Sequence, residues 1–170
     1  MMRRVLLALV VLTWGAAFAQ APVATPDPLA PLQFLLGEWV ADSASGGGSG
    51  WFSFTPDLNG KVVVRKNHSE NPPQSGRTAV HDDLMIIYPE KSGLRADFFD
   101  SEGHAIHYSF SSAAPGTVVF LSDLASSAPR FRLTYTSTAA NVVKIIFDIA
   151  PPDHPDAFNN YITAHAHRKK

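Results

Sequence analysis

Arg130-Phe131-Arg132-Leu133-Thr134-Tyr135-Thr136, followed after a short break by Val142-Val143-Lys144-Ile145-Ile146-Phe147-Asp148-Ile149, decides the fold. Phe131, Leu133 and Tyr135 fall on one side of an extended chain, as do Val143, Ile145, Phe147 and Ile149, while Arg130, Arg132, Lys144 and Asp148 fall on the other. A period of two with one apolar and one polar face marks a pair of half-buried strands rather than a helix. Similar strand-sized runs recur upstream near Glu38–Asp42, Trp51–Thr55, Lys61–Ser69, Asp82–Tyr88, Leu94–Asp100, Ala105–Ser111 and Thr117–Asp123, and downstream at Phe158–His167. Turn chemistry separates them, as in Pro56-Asp57-Leu58-Asn59-Gly60, Pro89-Glu90-Lys91-Ser92-Gly93, Ser101-Glu102-Gly103 and Ala114-Pro115-Gly116. About ten consecutive strands joined by hairpins leave two bare sheet edges unless the sheet closes, so the expectation is an all-β, single up-and-down antiparallel barrel. A two-sheet sandwich is the alternative, but it normally uses Greek-key crossovers, and this spacing offers hairpins.

The segment before the strands differs. Arg3 and Arg4, the apolar run Val5–Leu12 and the small-residue pattern Ala17-Phe18-Ala19 specify an export signal over residues 1–19, with a periplasmic or extracellular destination. The run is too short for a comfortable transmembrane span, and no later stretch approaches the length one needs. Residues 20–28, with Pro22, Pro26 and Pro28, form a proline-rich tether. The barrel domain is then expected over residues 29–170, opening with a short helix in which Leu29, Leu32, Leu35 and Leu36 share a face behind Asp27 and Pro28. This helix is expected to close one end of the barrel.

Composition narrows the function. The chain has no cysteine, which excludes disulfides and thiolate metal sites, and its formal charge of −1 carries no basic stripe of the kind that binds nucleic acid. Counting strands along a meander sorts the loops by end. Residues 43–50, 70–80, 101–103, 124–129 and 150–157 share one end and are mostly longer and rich in Gly, Ser and Pro, so that end is expected to be the mouth. His68 closes the third strand, His81 and Asp83 open the fourth, and His104 precedes the sixth, which brings all four to that mouth as candidate ligand-binding residues. Three histidines with nearby carboxylates such as Glu70, Asp82 and Asp100 suit a divalent metal or acid-base chemistry, and equally suit solvated strand ends. His107 is expected to point outward, His165 and His167 to lie on a solvated face, and Ser45-Gly46-Gly47-Gly48-Ser49-Gly50 lacks the Lys-Ser/Thr of a phosphate loop. Alternation places Arg132 opposite Leu133 and therefore outside.

Gly37-Glu38-Trp39 after a short helix resembles the Gly-x-Trp start of lipocalin and calycin barrels. The resemblance implies that Trp39 packs at the closed end beneath an arginine from the last strand, a place that Arg168 occupies by strand count. The whole chain is also similar to secreted bacterial lipocalin-like proteins of uncharacterised function, through segments such as Asn67-His68, His81-Asp82-Asp83-Leu84-Met85 and Phe99-Asp100-Ser101-Glu102-Gly103-His104. It further resembles the haem-binding nitrobindins, whose alternate glycines are replaced here by Ala41 and Ser43. Fatty-acid-binding barrels commonly turn an arginine inward toward a carboxylate, and Arg65 and Arg132 are the residues weighed for that role. The expected function is a non-enzymatic barrel holding a small apolar or amphipathic molecule in its lumen, without a cofactor. The alternatives are an envelope-structural or protein-interaction barrel with a filled lumen, and a metal-, haem- or acid-base-dependent enzyme using the mouth.

Overall fold

Alternating apolar side chains force the sheet to curl, because only closure buries one face of every strand without leaving an edge. The computed structural model describes residues 26–42, 48–71 and 79–170 and shows that closure. Ten antiparallel strands run β1 (Gly37–Ala41), β2 (Ser49–Asp57), β3 (Val62–Asn71), β4 (Ala79–Glu90), β5 (Gly93–Asp100), β6 (Ala105–Ala114), β7 (Thr117–Ser122), β8 (Arg130–Ala139), β9 (Val142–Ala150) and β10 (Asn159–Arg168). Each pairs with its sequence neighbours, and β1 pairs with β10 to complete a closed barrel. The export signal and most of the tether expected from the sequence lie outside the described residues, as does much of the glycine-rich loop between β1 and β2.

Strand ends extend further than the turn residues suggested. β2 runs through Pro56 to Asp57, and β4 runs through Pro89 to Glu90. Both prolines sit next to a strand end, where a missing N–H costs little.

The N-terminal element is a short 3-10 helix over Ala30–Leu35, with Leu29 at its N-cap. Asp27 Oδ1 accepts from the Leu29 amide at 2.9 Å, in the turn that precedes the helix. The leucine spacing explains the geometry, since Leu29, Leu32 and Leu35 recur every three residues and a 3-10 helix stacks such positions on one face. All three are buried against the barrel end.

That end is filled. Trp39, Phe54, Val63, Ile87, Val118 and Val143 turn inward from six strands and are almost fully buried. Trp39 donates from Nε1 to the Leu35 carbonyl at 2.7 Å and stacks on Phe52. Arg168 lies over the Trp39 ring at 4.4 Å and donates to the carbonyls of Phe34, at 3.0 Å, and Leu36. Gly37 makes this possible twice over. Its φ of 114° is one that side-chain-bearing residues rarely adopt, and a Cβ there would sit 2.7 Å from the Arg168 guanidinium.

Candidate functional site

The register fixes which side chains meet in the lumen. Phe54, Arg65, Met85, Phe98 and Ile106 lie opposite one another across β2 to β6, and Phe52, Asn67, Asp83 and Asp100 form the next row toward the mouth. On the far wall Phe120, Leu133, Phe147 and Ile162 stand in one row across β7 to β10. The buried rings of Trp39, Phe52, Phe54 and Phe120 form an aromatic floor. Tyr135 stands among Phe52, Phe54 and Phe120, with ring centroids 5.4 to 6.4 Å away. Beside it comes a polar layer, and toward the mouth the inward side chains of Phe98, Ile106, Phe131 and Phe147 are only half buried.

The polar layer centres on Arg65. Its place two residues after Val63 turns it into the barrel, where it is 6% exposed and donates from Nη1 to Asp83. Arg65 Nε and Tyr135 Oη are buried with no hydrogen-bond partner. Burial works against the charge on Arg65, but Tyr135 and Asp83 outweigh it, so that its pKa is raised. Burial likewise raises the Tyr135 and Tyr108 phenols, so all three groups keep their protons at neutral pH.

The mouth half of the barrel has two unlike walls. Phe131 and Phe147 stack at 5.7 Å, Tyr161 meets the edge of Phe147 at 6.3 Å, and Ile162 is 46% exposed. Opposite them the rim is polar and acidic. His81 Nδ1 is 2.8 Å from Glu102, its Nε2 is 3.4 Å from Asp83, and Asp100 bonds the His104 ring at 2.8 Å. Burial disfavours the Asp100 carboxylate, but the His104 amide and ring and the Glu102 amide more than compensate and hold it below the usual carboxylate range. His81, Asp100 and Glu102 present ligand atoms within 4.8 Å of one another, a donor set that could hold a divalent cation.

Of the four residues named from the sequence, the structure joins His81 and Asp83 directly and places His104 on Asp100, next to Glu102. His68 stands apart, because residues 65 and 68 differ by an odd number and alternation puts them on opposite faces. On the outer wall His68 stacks against Trp51 and bonds Asp82 at 2.7 Å and Glu70 at 3.3 Å, which raises its pKa. Asp83 is a buried ion-pair partner rather than a free rim carboxylate. Arg132 is outside, bonded to Asp148 and 4.2 Å from the Phe158 ring. His107 and His167 bond the outer carboxylates Asp97 and Asp42.

Haem does not fit this arrangement. Among the described residues His81 is the inward-facing strand histidine, and both its ring nitrogens already face carboxylates. The part the sequence did not reveal is the polar layer, Arg65 with Tyr135, together with the contribution of Glu102. The register of Arg65 with Val63 was the available signal, but an arginine beside Lys66 reads as surface.

Fold and site together define a closed ten-stranded antiparallel barrel, consistent with the calycin and lipocalin-like folds, with a buried aromatic cluster inside it. No protein-family model matches the chain, and no curated protein matches it either.

Proposed function

We propose that this is an exported, non-enzymatic barrel that binds a small amphipathic molecule in the vestibule of its lumen. One observation carries the reading. Phe98, Ile106, Phe131, Phe147 and Ile149 point inward, yet each keeps partial contact with solvent, whereas Phe52, Phe54, Phe120 and Tyr135 on the same face are dry. Apolar side chains held half-wet inside a barrel favour an apolar guest, and a few polar groups below them orient it. The floor limits the guest to the mouth half.

The outer wall supports a barrel bathed in water. It carries the ion pairs Arg95–Asp123, His107–Asp97 and Arg132–Asp148, the reverse of the apolar band that a membrane-spanning barrel turns to lipid. Among the described residues no helix is long and apolar enough to cross a membrane. The basic start, apolar run and small-residue site over residues 1–19 support export to the periplasm or beyond.

The test is titration of the mature protein with N-phenyl-1-naphthylamine, a neutral apolar probe whose emission rises in a dry site. Saturable binding of one probe per barrel is expected. A linear response matching that of an unrelated soluble protein would contradict the reading, and Met1 found at the start of the functional protein would contradict export.

A further inference from the structure

We propose that the polar layer beneath the vestibule is the head-group site of the luminal ligand, and that it selects a neutral hydrogen-bond acceptor over a free carboxylate. Such an acceptor is the carbonyl or hydroxyl oxygen of an amide, ester or alcohol. The inference rests on the ligand-binding reading above and deepens it.

Two donors in this layer are unmet. Buried polar groups in folded proteins are nearly always bonded, and leaving one unsatisfied is costly. Here Arg65 Nε and Tyr135 Oη are both buried and unpartnered, on β3 and β8. Both side chains enter the same polar layer and each has a proton to give, so one oxygen within reach of both would satisfy both. The floor of Phe52, Phe54 and Phe120 offers no such oxygen from below. The oxygen must arrive from the vestibule.

Charge decides which oxygen. Arg65 is already matched by Asp83, which also faces His81. The other groups looking onto the vestibule from β5, from the turn before β6 and from β6 are Asp100, Glu102, His104 and Tyr108. A carboxylate would bring a further negative charge into a poorly hydrated space that already holds Asp83 and Asp100 against one guanidinium. A cationic head would meet those acids but has no lone pair for the Arg65 N–H. A neutral carbonyl or hydroxyl meets both donors and adds no charge. The tail then runs along Phe98, Ile106, Phe131 and Phe147 toward the mouth.

Three ligands that share one tail separate the possibilities. Dodecanamide, dodecanol and dodecanoate are each used near neutral pH to displace N-phenyl-1-naphthylamine from the parent and from Tyr135→Phe. That variant removes the hydroxyl and keeps the ring in its aromatic contacts. The amide and alcohol should bind the parent roughly tenfold more tightly than the carboxylate, the equivalent of about 1.4 kcal/mol. Tyr135→Phe should erase most of that preference, each affinity being calculated from the naphthylamine affinity measured for that same protein. Equal or tighter binding of dodecanoate overturns the proposal, and so does a preference that survives in Tyr135→Phe, because a site holding only water would behave that way. Absence of naphthylamine binding to the parent would instead remove the ligand-binding reading itself, and the head-group site with it.

Discussion

Replacing Trp39 by alanine tests the closed end of the barrel. The side chain is 1% exposed, donates to the Leu35 carbonyl, stacks on Phe52 and supports the Arg168 guanidinium. Emptying a large aromatic site of this kind costs about 3 to 5 kcal/mol. Little relaxation is available, because Leu32, Leu35 and Phe54 around it are already fully buried. In a domain of this size each 1 kcal/mol moves the melting temperature by about 2 to 4 °C, so the loss should be roughly 6 to 20 °C. Urea unfolding followed by far-ultraviolet circular dichroism should show a lower midpoint at an unchanged slope. Trp51→Ala is the control, since Trp51 is 45% exposed on the outer wall and stacks only against His68. It should cost no more than about 1 kcal/mol. If the two alanine variants are equally stable, the 3-10 helix and Arg168 do not lock that end as argued.

Arg65→Met should cost about 3 to 5 kcal/mol by leaving Asp83 buried without its partner, whereas Arg65→Met combined with Asp83→Leu should regain most of it; a double-mutant cycle in urea checks this. Gly37→Ala should destabilise by more than about 1 kcal/mol, read as a fall in melting temperature, because it is strained at positive φ and meets Arg168. Stability should respond to pH in two opposite ways. The Asp100 pKa is lowered, so its contribution is full above the ordinary carboxylate value and is lost as the pH falls through its depressed value in the folded state. Asp100→Asn should flatten that acid limb of the urea midpoint. The His68 pKa is raised by its bonds to Asp82 and Glu70, so its contribution is full below the ordinary histidine value and disappears as the pH rises through the folded value. Its ring resonances in an NMR titration give that midpoint directly. Zinc added to the protein should shift the His81 ring resonances before those of His154, which has only Asp153 beside it.

The fold was legible because alternation is a local property. Phe131, Leu133 and Tyr135 declare their face without reference to any other strand, and hairpin turns leave few ways to join ten such runs. The helix was legible in its burial but not in its type, since leucines three apart fit either helical form until Leu36 and Gly37 break the pattern. The site was harder. Strand order could bring His81, Asp83 and His104 toward one end, but it could not say that Asp83 would be taken by Arg65, because that contact joins side chains eighteen residues apart. Nor could it separate His68 from the others, since ending at the mouth and facing the lumen are different conditions and only register decides the second. Tyr135 read as an ordinary core aromatic. Its unpartnered hydroxyl becomes visible only once β8 and β3 are seen across the barrel.

On the proposed function the vestibule, and not the outer wall, receives the guest. Isotope-filtered NMR on methyl-labelled protein with unlabelled dodecanamide measures this directly, because alternation assigns each isoleucine to one face. Contacts from the dodecyl chain should appear at the inward Ile106, Ile145, Ile149 and Ile162 and be missing at the outward Ile86 and Ile146. Contacts at Ile86 and Ile146 without the inward set, or none at any methyl under saturating ligand, would contradict the account.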